Sequence, residues 1–183
     1  MTTWTFRRAA APGCAALAVL AGVLVGVPVA EAADPYPAPA RRQMLDLARM
    51  PKADLEALYL ASPAASAPSG FVPGRAIKNP GSRFAVANAR ATRLVWQGKI
   101  FRDDGTMINR VFGAGKAIPA AVYQGQSLID GGPALILDYS GSKLWPDVRD
   151  EVREVEPGLY LGVMYKGRAN MQQKMFFTLD ARK

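Results

Sequence analysis

The chain has 183 residues, a formal charge of +8 at pH 7, no histidine and a single cysteine, Cys14. Without histidine there is no imidazole base and no histidine ligand for zinc or haem, and one cysteine allows neither an internal disulfide nor a thiolate cluster. This composition excludes Ser-His-Asp and Cys-His hydrolases, zinc enzymes and dithiol oxidoreductases. We therefore expect no cofactor and no metal, and favour a binding protein over an enzyme.

The first 33 residues have the three parts of a secretory signal peptide: a start with two arginines, an apolar run over residues 14–30, and a small-residue exit. The apolar run is short for a membrane-spanning helix, so a permanent anchor is the minor alternative. The sequence predicts cleavage near Ala32 or Ala33 and a periplasmic or secreted protein.

The next segments carry helical patterns. Residues 34–40 indicate a proline-rich linker, and residues 41–183 a single globular domain. Within residues 41–60, apolar side chains recur every three or four positions on both sides of Pro51, which predicts a helical hairpin. Residues 62–74 are rich in Pro, Ser, Ala and Gly and predict a loop that leads into the main body.

After a further predicted helix over residues 84–95, short apolar segments alternate with turn dipeptides such as Asp104-Gly105. The predicted strands are 99–102, 106–112, 117–124, 133–139, 151–155, 159–166 and 174–180. Short strands without crossover helices indicate an antiparallel meander, which must close or cover its edges. We predict an α+β, mainly β fold: a small barrel over residues 70–183 with the N-terminal helices packed against it.

Charge is concentrated between apolar strands in residues 130–162. One face of the 151–155 strand region carries Arg149 and Arg153, and Asp138 ends an apolar stripe on the preceding strand. The functional hypothesis places one of these arginines inside the barrel with Tyr139 or Tyr160, because a guanidinium binds a carboxylate or phosphate head group at two points. Trp96 is a further candidate for the cavity wall.

Two alternatives stay open for the same residues. In the first, Asp138, Glu151 and the arginines pair with one another and fix strand register, without any ligand. In the second, two of the carboxylates act as a general acid and base. The candidates for that pair are Asp138, Asp150, Glu151 and Glu154.

The strand entry Trp96-Gln97-Gly98-Lys99, which follows a helix and precedes a run of hairpins, resembles the calycin group of lipocalin-like barrels. The segments 135–140, 149–153 and 158–162 are also similar to small exported bacterial proteins of unassigned function. The resemblance covers about residues 70–180. It implies a β-barrel that carries or senses a small apolar or amphipathic molecule, and it does not imply an enzyme.

Three function classes follow in order of preference: an exported envelope protein that binds a lipid-like ligand, a structural or partner-binding envelope protein without a ligand, and a histidine-free carboxylate enzyme. The basic residues are spread along the chain without a dense run. This distribution favours peripheral contact with an anionic membrane surface and argues against a nucleic-acid partner.

Overall fold

A computed structural model describes residues 41–182, and eight antiparallel strands account for a little under half of this segment. The strands are β1 Gly70–Ile77, β2 Trp96–Phe101, β3 Thr106–Val111, β4 Gly115–Gln126, β5 Pro133–Asp138, β6 Val148–Glu156, β7 Leu159–Lys166 and β8 Gln172–Asp180. The helices are α1 Met44–Arg49, α2 Lys52–Ala61 and α3 Ala85–Ala91, and a short 3₁₀ turn, Thr92–Leu94, follows α3. The predicted signal peptide and linker lie outside the described residues.

The eight strands form a closed barrel. Each strand pairs with the next one along the chain, and β1 closes the circle by pairing with β8, so that Gly74 lies opposite Leu179 and Ile77 opposite Phe176. Closure leaves no strand edge to pair with another chain. The predicted fold class, a mainly β antiparallel barrel with helices packed against it, is confirmed.

The prediction of a loop over residues 62–74 is wrong for its last five residues, because Gly70–Ile77 forms β1. The first half of β1 pairs with β2 and the second half with β8. Pro73 and the flanking glycines hid this strand from a pattern-based prediction. The glycines are needed for packing: a side chain at Gly98 would collide with the Val72 carbonyl, and one at Gly74 would collide with the Trp96 ring.

Two apolar layers lie on opposite faces of the barrel wall. The inner layer lies inside the barrel, and the outer layer lies between the strands and the helices. Neighbouring residues of one strand alternate between them, as shown by Phe176 in the outer layer and Phe177 in the inner one. The helices thus cover one side of the barrel. Within residues 41–182 no helix is long and apolar enough to span a bilayer.

Candidate functional site

The barrel contains a cavity of about 440 Å³ at the end where β1, β3, β5 and β7 terminate. Its wall is mostly apolar. Five of its lining residues are exposed and form the rim: Lys78, Val95, Phe112, Leu144 and Trp145. The deeper apolar wall includes Ala76, Val111, Ala117, Ile118, Met164, Met175 and Phe177. A volume of this size is typical of small-molecule sites in proteins.

A cluster of buried polar side chains lies on the cavity wall. Lys99 Nζ donates hydrogen bonds to Asp150 Oδ2 at 2.9 Å, to Tyr139 Oη at 2.6 Å and to Asn109 Oδ1 at 3.1 Å. Tyr139 Oη donates to the same Asp150 oxygen at 2.9 Å, and Trp96 Nε1 donates to Asn109 Oδ1 at 2.8 Å. We call these five residues the inner polar cluster.

Two pairs of consecutive strands, β2 with β3 and β5 with β6, bring the inner polar cluster together. Lys99 lies opposite Asn109 in the β2–β3 register, Tyr139 follows β5, and Asp150 lies in β6 between the inward-facing Val148 and Val152. Residues two apart in a strand point to the same side of the sheet. Lys99 therefore points into the barrel with Phe101, as Asp150 does with its valine neighbours.

The ion pair between Lys99 and Asp150 is almost completely buried, with side-chain exposures of 3% and 5%. Burial lowers the pKa of Lys99, and the nearby Asp150 carboxylate acts in the opposite direction. The ammonium also lies between 5.0 and 5.4 Å from the ring centroids of Trp96, Tyr139 and Phe177. These aromatic faces replace part of the hydration that the ammonium has lost.

Burial and the Asp150 charge together raise the pKa of Tyr139 well above its ordinary value. The phenol therefore stays protonated and donates to Asp150 across the physiological range. Each of the three ammonium hydrogens of Lys99 has an acceptor within the cluster. Among residues 41–182 no group donates to the second oxygen of Asp150, Oδ1, so this carboxylate keeps one free acceptor at the cavity wall.

The residues proposed from the sequence lie on both faces of the barrel wall, and only some of them line the cavity. Trp96 and Tyr139 line the cavity, and Tyr160 belongs to the inner apolar core without lining the cavity. Asp138 lies on the outer face, where it accepts hydrogen bonds from the Tyr123 hydroxyl and the Ser140 amide. The structure therefore brings together only part of the proposed set.

Arg149 and Arg153 point away from the cavity, because the inward positions of β6 are those of Val148, Asp150 and Val152. Arg149 pairs with Glu151 at 2.9 Å and donates to the Gln126 carbonyl. Arg153 pairs with Asp130 at 2.8 Å and stacks on the Tyr59 ring. The hypothesis that one of these arginines lies inside the barrel does not match this placement.

The site residues predicted from the sequence do not include Lys99 or Asn109, and Asp150 is among them only as a carboxylate for acid–base chemistry. The signal was present at Lys99: it lies two positions before Phe101 in a predicted strand, so an inward Phe101 requires an inward lysine. Asn109 stands in the same relation to the buried Met107. A charged side chain on the inner face of a barrel needs a partner there, and Asp150 is that partner.

Residues 41–182 contain no group of three metal-ligating side chains that could hold an ion.

Comparisons with known proteins show no family for this chain. No family model matches the chain, and no curated protein matches it either. The chain is similar in structure to a protein from Thermomonospora curvata known from a crystal structure, with a TM-score of 0.46, 20% identity, and coverage of 72% of this chain and 88% of the other.

Proposed function

We propose that this barrel binds a small amphipathic molecule whose apolar part occupies the cavity beside the inner polar cluster. The observation that carries the proposal is the cavity itself: about 440 Å³, lined by apolar side chains and bordered by an exposed rim. Apolar walls with a few convergent polar groups are characteristic of ligand sites. The carrier or sensor role implied by the calycin resemblance is part of this proposal, as is the exported location predicted from the signal peptide.

The inner polar cluster limits the chemistry of the ligand. Lys99 is already neutralised by Asp150, so the buried wall of the cavity offers no free cation to a carboxylate or phosphate group. The other lysine that lines the cavity, Lys78, is exposed to solvent. The free Oδ1 of Asp150 accepts a hydrogen bond from a hydroxyl or an N–H group. We therefore infer a ligand whose buried part is apolar with at most one neutral donor, and whose charged head group stays at the rim.

The cavity also distinguishes this proposal from the two alternatives. A purely structural barrel is expected to fill its interior with side chains, since empty space forfeits van der Waals contacts. A carboxylate enzyme needs a second acid in the cleft, and of Asp138, Asp150, Glu151 and Glu154 only Asp150 lines the cavity. The wall supports binding better than it supports acid–base catalysis.

Titration with the fluorescent amphiphile N-phenyl-1-naphthylamine tests the proposal. Ala117→Trp places a bulky ring in the cavity, and Ala121→Trp makes the same change at an exposed position of the same strand. We expect at least a tenfold loss of probe affinity for Ala117→Trp and little change for Ala121→Trp. Val111→Phe is the second cavity variant if Ala117→Trp does not fold.

Thermal unfolding of each variant controls for the loss of native protein. Folded Ala117→Trp and Val111→Phe proteins that bind the probe as the wild type does would contradict the proposal. Equal loss in Ala121→Trp would point to a binding site outside the barrel.

A further inference from the structure

Large apolar side chains project into solvent around the cavity rim. Their exposures are 78% for Leu94, 73% for Phe112 and 68% for Leu144, and Val95 and Trp145 are also exposed. They come from three connections that are far apart in sequence and meet at one end of the barrel. Single exposed apolar residues are ordinary, but five around one opening indicate an interaction surface.

Phe112 is held in this position at a conformational cost. It lies in the β3–β4 turn with φ 47, a left-handed conformation that is unfavourable for a bulky residue, and the following Gly113 has φ 82. The cost of such a conformation is on the order of 1 kcal/mol. The ring gains little burial in return, since most of it faces solvent. An exposed aromatic residue on a strained turn is therefore better explained by a contact with a partner than by folding.

The charge distribution is unequal between the two ends of the barrel. The connections at the cavity end, 78–95, 112–114, 139–147 and 167–171, contain a single acidic residue, Asp147. Their basic residues are all exposed: Lys78, Arg83, Arg90, Arg93, Lys143 and Arg168. The strand connections at the opposite end, 102–105, 127–132 and 157–158, contain three acidic residues and one arginine. The connections that carry the exposed apolar rim are thus strongly basic, and one of their lysines, Lys78, lines the cavity.

We propose that the cavity end docks onto the surface of a lipid bilayer that contains anionic lipids. The rim side chains enter the boundary between head groups and acyl chains, and the basic residues contact the anionic head groups. Trp145 is suited to that boundary because an indole combines an apolar ring with a polar N–H. This docking goes beyond the proposed ligand binding. It also gives the ligand a route into the cavity: because the cavity then opens toward lipid, an apolar ligand enters without crossing water.

Flotation of the full chain with vesicles tests the docking. The vesicles are phosphatidylcholine alone or phosphatidylcholine with roughly a third phosphatidylglycerol, a fraction that gives a strongly negative surface. We compare Leu144→Ser at the rim with Leu128→Ser, which removes a leucine that is 51% exposed at the opposite end. We expect about tenfold weaker binding to the anionic vesicles for Leu144→Ser. Leu128→Ser retains wild-type binding.

Two matched charge-reversal variants test the contribution of the basic residues. Lys143→Glu at the cavity end is compared with Arg102→Glu at the opposite end, both of which are exposed. Each basic residue near an anionic surface contributes about fivefold in affinity, so Lys143→Glu weakens binding by at least that factor and Arg102→Glu does not. Because residues 1–40 are present in every variant, their own affinity for lipid is common to all of them.

Hydrogen–deuterium exchange then locates the contact. Anionic vesicles are expected to slow exchange in residues 92–96, 111–115 and 142–146 of the full chain. The proposal is overturned if these segments exchange as fast with vesicles as without, or if rim and control variants bind equally. Probe titration of the cavity is independent of vesicles, so the docking can fail while ligand binding stands. Protection of the same segments by a protein partner, without protection by vesicles, would also reject the bilayer.

Discussion

Strand β6 contributes to two buried charged clusters, one on each side of the barrel wall, and the two differ in what their members contact. On the inside, Asp150 pairs with Lys99 beside an open cavity. On the outside, Arg153 donates to the carbonyls of Tyr59, Leu60 and Pro133 as well as to Asp130. The outer cluster thus attaches helix α2 and the β4–β5 connection to the barrel.

Glu151 belongs to the outer cluster and has no exposed surface. Its carboxylate accepts hydrogen bonds from the Ser127 hydroxyl, the Leu128 amide and Arg149. Two of these contacts join β6 to the β4–β5 connection, and the third joins two residues of β6. The comparison shows that buried charge by itself does not mark a ligand site: the inner cluster differs because it lies against space that the protein does not fill.

The largest effect is expected from Lys99→Met. This change leaves Asp150 buried without its cation, and breaking a buried pair lowers the free energy of unfolding by about 3–5 kcal/mol. The double variant Lys99→Met with Asp150→Asn removes both charges and is expected to be more stable than Lys99→Met. Urea denaturation of the two single variants and the double variant measures this coupling. Additive losses would mean that the two side chains do not depend on each other.

Arg153→Ala is expected to lower the free energy of unfolding by about 3 kcal/mol, because it removes the guanidinium that donates to the Tyr59 and Leu60 carbonyls and pairs with the Asp130 carboxylate. Probe affinity per folded molecule is expected to be unchanged, since Arg153 lies outside the barrel. Arg168→Ala, at an exposed arginine, is the control for stability. Loss of probe affinity in a stable Arg153→Ala protein would show that Arg153 contributes to ligand binding.

The outer layer is also expected to determine part of the alkaline behaviour. Burial raises the pKa of Tyr59 from 10.0 to about 12. A folded pKa above the unfolded value means that the contribution is complete below pH 10 and is lost as the pH rises toward 12. At pH 11 the loss from Tyr59 is on the order of 1 kcal/mol.

Tyr59→Phe removes this loss, so its stability falls less than that of the wild type between pH 8 and pH 11. Urea denaturation at the two pH values checks the difference. Parallel losses in the two proteins would show that the pKa of Tyr59 is the same in the folded and unfolded states.

The smallest effect is expected at the rim. Phe112→Asn replaces a bulky residue at φ 47 by one that tolerates the left-handed conformation. We expect a gain of about 0.5 kcal/mol in unfolding free energy together with weaker binding to anionic vesicles. Thermal unfolding and flotation measure the two quantities. A loss of stability would show that the Phe112 ring contributes to packing despite its exposure.

Much of the barrel could be predicted because alternation and turn dipeptides are local signals. They indicated seven strands and the antiparallel order, and the first helical run was visible from apolar spacing. Strand β1 could not be found in this way, since Pro73 and its glycines suppress the strand signal while the pairing with β2 and β8 supplies the stability. Its partners are distant in sequence, and no local pattern contains them.

The candidate site was predicted less well, for a related reason. The alternation of β6 separates Asp150 from Arg149 and Arg153, but it does not say which face looks inward. That choice depends on the whole circle of strands and on where α2 packs. Trp96 and Tyr139 were found because large aromatic residues at strand ends are conspicuous, whereas Lys99 and Asn109 became meaningful only when Asp150 was placed beside them.

The central claim is that the cavity holds an amphipathic molecule, and native mass spectrometry of the protein purified gently from its own cells tests it most directly. We expect the wild-type protein to carry a bound mass that organic extraction releases, and we expect the folded Ala117→Trp variant to have lost it while Ala121→Trp retains it. A bare polypeptide mass for the wild type, unchanged after incubation with lipids from the same cells, would contradict the claim.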